Sequence, residues 1–190
     1  AEVVRFASDQ VSIDGALLEM GVCTGRTINF IAALNPKRRI YEFDSFQGLP
    51  EEWTRPDTLV PAGTFSLKDP TSKPAVLRNV ELVVGLFDET LPTFKRDLLG
   101  ETPIAFIHVD CDLYSSTSTL LTHFGENIVR RTILLFDELY NYPGYEEHEY
   151  KAFIEFRNRT SRRAPRLQGI HGAGSRKNRL TTLSKKSAGS

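Results

Sequence analysis

The residues best suited to chemistry in this chain are carboxylates that stand where predicted strands end. Each of five apolar stretches is followed closely by an acid: Glu19, Asp44, Asp88, Asp110 and the pair Asp137–Glu138. Ligands of open α/β sheets bind beyond the carboxyl ends of the strands, so these acids are predicted to share one sheet edge. Helix capping by aspartate explains one such position more readily than five in register.

The first of these acids opens a loop that contains two glycines. Residues 19–25 read Glu-Met-Gly-Val-Cys-Thr-Gly, and a predicted helix follows. Glycines allow a tight turn, and a helix N-terminus offers free N–H groups to a carboxylate. An acid at the strand end attracts an ammonium group, and S-adenosylmethionine carries both charges on one carbon. The predicted cofactor contacts in this loop are Glu19, Gly21, Val22, Cys23, Thr24, Gly25 and Thr27.

Two further strand ends extend this predicted cofactor site. Asp44, 25 residues beyond Glu19, is placed to accept hydrogen bonds from both ribose hydroxyls, as in dinucleotide folds. An ordinary turn or a helix cap is the alternative for Asp44. The predicted contacts continue with Ser45, Phe46, Gly85, Phe87 and Asp110. The two aromatic rings suit the walls of an adenine pocket, with plain core packing as the alternative.

Three acids at neighbouring strand ends form a second group. Asp110, Asp137 and Glu138 would repel one another, and a divalent cation relieves that conflict. An all-oxygen set favours Mg²⁺ or another hard cation, which could bind and orient a substrate hydroxyl. The alternatives are a solvent-facing Glu138 and a neighbouring acid, Asp112, that only caps a helix. Asp110 and His148 are the predicted catalytic residues, the histidine as a candidate general base.

The elements that position these residues alternate along the chain. Strands are predicted at 15–20, 39–44, 80–84, 104–109 and 132–137, and helices at 26–34, 89–99, 115–124 and 146–158. This alternation predicts a central, mostly parallel sheet with helices on both faces. Residues 1–190 are expected to form one domain. A proline-rich, lid-like insertion interrupts it at about 47–78, and two closing strands are expected within 169–183.

Composition limits the classes of function. No apolar stretch approaches the roughly 18 residues of a membrane span, and two cysteines form no disulfide framework, so a cytoplasmic protein is expected. Residues 1–156 hold 24 acids and 14 Lys or Arg, whereas residues 157–190 hold 10 Lys or Arg and no acid. The basic end either attracts a phosphate-bearing molecule or is a solvated face, and nothing in it resembles an RNA-binding pattern.

An ordered series of motifs resembles one family. The series is Glu19 to Gly25, Phe43-Asp-Ser-Phe-Gln-Gly-Leu-Pro50, Gly85 to Pro92, His108 to Thr117 and Phe136-Asp-Glu138. It is similar to the macrocin O-methyltransferase family of class I, Rossmann-like methyltransferases, which methylate sugar hydroxyls on macrolide antibiotics. The resemblance covers about residues 10–158.

This resemblance implies an adenosylmethionine-dependent and usually magnesium-dependent O-methyltransferase with a small-molecule acceptor. The implied metal ligands are Asp110, Asp137 and Glu138, although relatives often carry Asp where this chain has Glu138. Catechol-type relatives place a lysine where this chain has Leu113, so the base stays open. Many relatives assemble through extra N-terminal helices, and a homo-oligomer is among the expected partners. The rival hypotheses are a nucleotide-dependent oxidoreductase and a non-catalytic methyltransferase-like module.

Overall fold

The protein is built on one parallel sheet of six strands. A computed structural model describes residues 1–67, 69 and 73–160, together with the backbone of 171–172. The strand order is β5-β2-β1-β6-β7-β8, and every neighbouring pair is parallel. The sheet strands are β1 (Ala16–Met20), β2 (Ile40–Asp44), β5 (Val80–Val84), β6 (Ile104–Val109), β7 (Ile128–Phe136) and β8 (His171–Gly172). The predicted Rossmann-like α/β class is therefore confirmed.

Helices cover both faces of this sheet. Helices α1 (Glu2–Asp9) and α2 (Arg26–Leu34) lie on one face, and α3 (Phe87–Phe94), α4 (Tyr114–Phe124) and α5 (Glu149–Thr160) lie on the other. Side chains alternate between the two cores, as a strand period of two requires. In β1, Leu17 packs toward α2, whereas Leu18 and Met20 pack toward the opposite core.

The helices differ from the sequence prediction in three places. The helix predicted at 146–158 is a 3₁₀ turn, Tyr145–Glu147, followed by α5. The helix predicted at 89–99 is an α-helix to Phe94 followed by a π-helical turn, Lys95–Leu99, that ends at Gly100. Helix α1 was not predicted, because it has only two turns and its N-cap, Ala1, gives no capping signal. It nevertheless buries Ala7 against α2 and the sheet.

The insertion at 47–78 is more ordered than its composition indicates. It contains a two-stranded antiparallel hairpin formed by β3 (Trp53–Arg55) and β4 (Thr58–Val60). Strands of three residues are too short to show an alternating pattern, which is why the sequence predicted only an irregular segment. Trp53 and Leu49 pack with Leu113, next to the start of α4, and thereby attach the insertion to the carboxyl edge of the sheet.

The remaining expectations concern the chain as a whole. Both cysteines are free thiols, in agreement with the expectation of no disulfide. Within the described part of the chain, no helix is long and apolar enough to cross a membrane. The closing strands expected within 169–183 lie outside the described residues except for the backbone of β8, as does the basic end beyond residue 160.

Candidate active site

A cavity of about 620 Å³ opens at the carboxyl edge of the sheet. Its position follows from the strand ladder, which continues beyond the strands through backbone hydrogen bonds from Gly21 to Phe43, from Asp110 to Met20 and from Asp137 to Val109. The predicted site residues that line it are Gly21, Val22, Cys23, Asp44, Ser45, Gly85, Phe87, Asp110, Asp137 and Glu138. The topology therefore gathers most of the predicted residues from five strand ends.

The loop after β1 depends on two glycines. Gly21 has a φ of 89° and Gly25 a φ of 77°, in the left-handed region where L side chains are strained. A Cβ on Gly21 would overlap the carbonyl oxygen of Asp110 and lie 2.9 Å from its carbonyl carbon. Gly25 is the N-cap of α2 and approaches Pro74 closely. Gly21 thus lets the first loop pass directly against the strand-end backbone of β6.

Asp44 links the ends of β1 and β2. Its Oδ2 accepts hydrogen bonds of 2.8 Å from both the Val22 and Cys23 N–H groups, and its Oδ1 accepts one of 2.7 Å from the Phe46 N–H. A carboxylate that bonds to several N–H groups is strongly held in orientation. Asp44 therefore both lines the cavity and fixes the shape of the glycine loop, a role that the sequence did not predict.

Glu19 lies in the core and does not line the cavity. It is fully buried, and its Oε1 lies 2.8 Å from Nδ1 of the buried His108 on β6. Burial raises the pKa of Glu19, while this carboxyl raises the pKa of His108 against the effect of burial. Glu19 is thus bonded to His108 within the sheet and is not among the cavity-lining residues, and its contact with an ammonium group stays a prediction.

A second acid stands beside Glu19 in the same row. Glu42 on β2 is paired in register with Glu19, and neither of its carboxyl oxygens has a hydrogen-bond partner among the described residues. Burial, with the charges of Asp44 and Glu19, raises the pKa of Glu42 to about 8. Glu42 is therefore expected to hold its proton at neutral pH.

Four other predicted contacts stand outside the cavity wall. Thr24 is exposed, Gly25 and Thr27 belong to the start of α2, and Phe46 is buried with a φ of 58°. Phe46 contributes its backbone N–H to Asp44 and packs its ring inside the protein. Core packing, the alternative weighed for Phe46, describes its ring better than an adenine wall does.

Four carboxylates meet at the ends of β6 and β7. Burial, together with the charges of Asp137 and Asp112, raises the pKa of Asp110 to about 7. Burial, with the charges of Glu138 and Asp137, also raises the pKa of Asp112 to about 7. Glu138 lines the cavity, and burial and Asp137 raise its pKa as well. All four residues line the same cavity.

Asp112 is not the helix cap that the sequence allowed. The N-cap of α4 is Leu113, with no side-chain capping bond, and Asp112 has a φ of 60°. The buried carboxylate of Glu149, at the start of α5, accepts hydrogen bonds from the Cys111 and Asp112 N–H groups at 3.3 and 3.2 Å. Glu149 therefore holds the strained turn that presents Asp112 to the cavity.

The acidic edge suits a metal ion by the type of its donor atoms and not by their spacing. Among the residues described, no three His, Cys, Asp or Glu side chains are gathered closely enough to hold a metal ion. The donor set nevertheless consists of carboxylate oxygens, which hard divalent cations prefer. Asp137 raises the pKa of both Asp110 and Glu138, a repulsion that a cation would relieve.

His148 lies behind the cavity wall. Its ring stacks on Tyr142 at a centroid distance of 6.2 Å and packs edge-on against Trp53 at 6.0 Å. Arg55 covers both Trp53 and Tyr142, at 4.9 and 5.2 Å from the ring centroids. His148 is not among the cavity-lining residues, and burial lowers its pKa. Its position is that of a support for Trp53, which does line the cavity.

The insertion, α4 and the loops after β5 and β6 supply further lining residues. The acids Asp88 and Asp112 and the insertion residues Trp53 and Phe65 were considered from the sequence. The sequence did not identify Gly48, Leu49, Pro50, Glu51, Leu86, Cys111, Ser115, Ser116 and Thr119. Glu51 accepts a hydrogen bond from the Ser115 hydroxyl, which joins the insertion to α4. The run Ser115-Ser116-Thr117-Ser118-Thr119, directly after an acidic strand end, was the available indication of a hydroxyl-lined wall.

Comparison with solved structures relates this architecture to enzymes of known type. The structure of CalS11, a calicheamicin methyltransferase, superposes with a TM-score of 0.65 and 28% identity, covering 80% of this chain and 68% of that one. An apo structure of CalS11, described as a TDP-rhamnose 3'-O-methyltransferase, gives 0.58 and 26%, with coverages of 80% and 67%. The O-methyltransferase NovP gives 0.57 at 23% identity, covering 86% and 73%, and supports the fold alone.

Sequence comparisons give one positive result. No curated protein sequence matches the chain. A family model described as a methyltransferase domain matches residues 18–139, which run from β1 to just beyond Glu138 and include every strand end that lines the cavity. Because that match spans more than half of the chain and contains the site, the protein belongs to this methyltransferase-domain family.

Proposed function

We propose that this protein is an S-adenosylmethionine-dependent O-methyltransferase whose acceptor is a hydroxyl of a small polar molecule, a sugar of a natural product. The observation that carries the proposal is the single cavity that joins the Asp44-bound glycine loop to the acids after β6 and β7. The structural neighbours, by their titles, include an O-methyltransferase and a TDP-rhamnose methyltransferase. Membership of the macrocin O-methyltransferase branch is part of this proposal.

One end of the cavity would bind the methyl donor and the other end the acceptor. The loop at Gly21 to Cys23, whose N–H groups are bonded to Phe43 and Asp44, would border the methionine part of the donor. Asp44 would accept from the ribose hydroxyls with its remaining lone pairs. Phe87 and Gly85 would border the adenine. Methyl transfer breaks the bond from sulfur to the methyl carbon as the acceptor oxygen bonds to that carbon, so catalysis consists mainly of alignment. Residues at the ends of β6 and β7 would align the acceptor oxygen.

Binding of the demethylated donor product tests the proposed function directly. Isothermal calorimetry should show S-adenosylhomocysteine binding more tightly than NAD, because the glycine spacing and the Asp44-bound loop suit an amino acid and a single ribose. Tighter binding of NAD would favour the oxidoreductase hypothesis instead. Binding without turnover on any acceptor of a broad glycoside panel would favour the non-catalytic module.

Divalent-metal assistance is the second part of the proposal. Asp110 and Asp137, with Glu138, would hold the cation, which when bound supplies Lewis-acid stabilisation of the acceptor oxygen. We expect a chelator to reduce turnover by at least about a hundredfold, with recovery on addition of Mg²⁺, while S-adenosylhomocysteine binding persists. Full turnover in chelator would remove the metal from the proposal and leave the donor site intact.

The proton acceptor is proposed to be a carboxylate of the cavity and not His148. Asp112 lines the cavity and is held there by Glu149, whereas His148 supports Trp53 from behind. Asp112→Asn is expected to lower kcat by about 10²-fold or more, the usual size of a general-base effect. His148→Gln should act mainly on the KM of the acceptor. A larger loss of kcat in His148→Gln than in Asp112→Asn would instead indicate that His148 is the general base.

A further inference from the structure

A half-exposed phenylalanine of the insertion lines the cavity. Phe65 is 51% exposed, and its φ of 70° lies in the left-handed region, where a residue with a Cβ is strained. Such strain persists only where the surrounding structure enforces it, and it concentrates at ligand-binding and switch segments. A large apolar side chain in an open cavity also forgoes the free energy that burial would supply. These features together favour a ligand that covers the Phe65 ring.

Hydrogen bonds hold Phe65 in a closed circuit with the glycine loop. The Phe65 carbonyl accepts a hydrogen bond from Sγ of Cys23 at 3.5 Å, and the Leu67 N–H donates to the Phe46 carbonyl at 3.3 Å. Asp44 completes the circuit, because it accepts from the N–H groups of both Cys23 and Phe46. Cys23 and Phe46 also have positive φ values, of 49° and 58°. The carboxylate that shapes the glycine loop therefore also positions Phe65.

The order of the strands indicates which part of the donor Phe65 meets. Along the strand order β5-β2-β1-β6, the proposed adenine border follows β5, Asp44 with the ribose follows β2, the glycine loop follows β1, and the acids begin after β6. The sulfonium of S-adenosylmethionine joins the ribose to the methionine part, and its methyl group must point to the acceptor. The sulfonium therefore belongs beside the glycine loop, between Asp44 and Asp110. Phe65 is bonded to this loop through Cys23.

We infer that the Phe65 ring recognises the positive charge of the sulfonium, so that the protein prefers S-adenosylmethionine to S-adenosylhomocysteine. The face of an aromatic ring attracts a cation that lies within about 6 Å of its centroid. Methyl transfer ends this attraction, because sulfur keeps the electron pair of the broken bond and becomes a neutral thioether. Release of the product is then favoured over its retention. The inference rests on the proposed function, since it assigns a further specificity-determining residue to the same donor site.

Paired calorimetry tests this inference, because the two ligands differ in charge at the sulfur. Each is titrated without acceptor, at constant free Mg²⁺, into the unsubstituted protein and into Phe65→Leu, which keeps an apolar side chain without a ring. We expect Phe65→Leu to bind S-adenosylmethionine about tenfold more weakly and S-adenosylhomocysteine within about twofold of the original affinity. The acids of the cavity attract the cationic donor in both proteins, so the change in preference measures the ring alone.

Two further variants serve as controls. Phe6→Leu makes the same change at a 41% exposed residue outside the cavity and should affect neither ligand, whereas Phe65→Tyr keeps the ring face and should keep the preference. Equal losses for the two ligands in Phe65→Leu, or no loss for either, would overturn the inference while S-adenosylhomocysteine binding to the unsubstituted protein upholds the donor site. An unsubstituted protein that binds neither ligand would overturn the proposed function and this inference together.

Discussion

Asp44→Ala is expected to weaken S-adenosylhomocysteine binding by about a hundredfold or more. The substitution removes the carboxylate proposed to accept from two ribose hydroxyls, a loss of about 3 kcal/mol for hydrogen bonds to a charged group. It also releases the Val22 and Cys23 N–H groups, which Asp44 holds at 2.8 Å, so the glycine loop loses its shape as well. Calorimetry measures the first effect directly.

The control for this change is Asp97→Ala, which removes an aspartate from an exposed position outside the cavity. It should leave S-adenosylhomocysteine binding unchanged. Asp44→Asn tests whether both carboxylate oxygens of Asp44 are needed, because the amide oxygen of Asn accepts hydrogen bonds while its amide nitrogen cannot. Unimpaired binding in Asp44→Ala would show that the donor lies elsewhere in the cavity.

Gly21→Ala is expected to lower the free energy of unfolding by about 4 kcal/mol, at the extreme of single substitutions. Left-handed backbone strain in a residue with a Cβ accounts for about 1–2 kcal/mol of this. The rest arises because the new Cβ would overlap the carbonyl oxygen of Asp110, whose backbone belongs to the end of β6. Urea unfolding followed by circular dichroism gives the change.

Gly100→Ala is a control that also has a positive φ but lacks the close contact. Gly100 has a φ of 51° and a ψ of −128°, a combination that favours glycine, and a Cβ there meets nothing within 4 Å. It should therefore cost only the backbone strain, about 1–3 kcal/mol. Equal losses at the two positions would contradict the close approach of the loop to Asp110. If Gly21→Ala fails to fold while Gly100→Ala folds, the loss of stability has the expected cause and a larger size.

The sheet edge was predictable because strand ends are marked in the sequence. Apolar runs followed by an acid located Asp44, Asp110 and Asp137, and parallel topology then required them to meet. Gly21 and Gly25 were also predictable, because glycine is the residue expected where a turn needs a positive φ, and both have one. The match of a methyltransferase-domain model over residues 18–139 agrees with that interpretation.

Side-chain direction and tertiary packing were harder to predict. Glu19 was assigned to the cavity because it ends a strand, yet its pairing with His108 is set by register across two strands 89 residues apart. His148 was assigned a role from its place near the acids, whereas Tyr142 and Trp53 enclose it. Local sequence does not encode such distant partners, and the contribution of α4 to the cavity wall was not predicted for the same reason.

The Trp53, Arg55, Tyr142 and His148 cluster has a consequence for how this enzyme could diversify. It joins the hairpin to the segment after Glu138, and Trp53 of this cluster lines the cavity. Replacing these two segments together should change which acceptor is methylated, while the donor-binding half of the cavity stays the same. Transferring the hairpin without Tyr142 and His148, which support it, should instead leave the acceptor end of the cavity collapsed and unselective among acceptors.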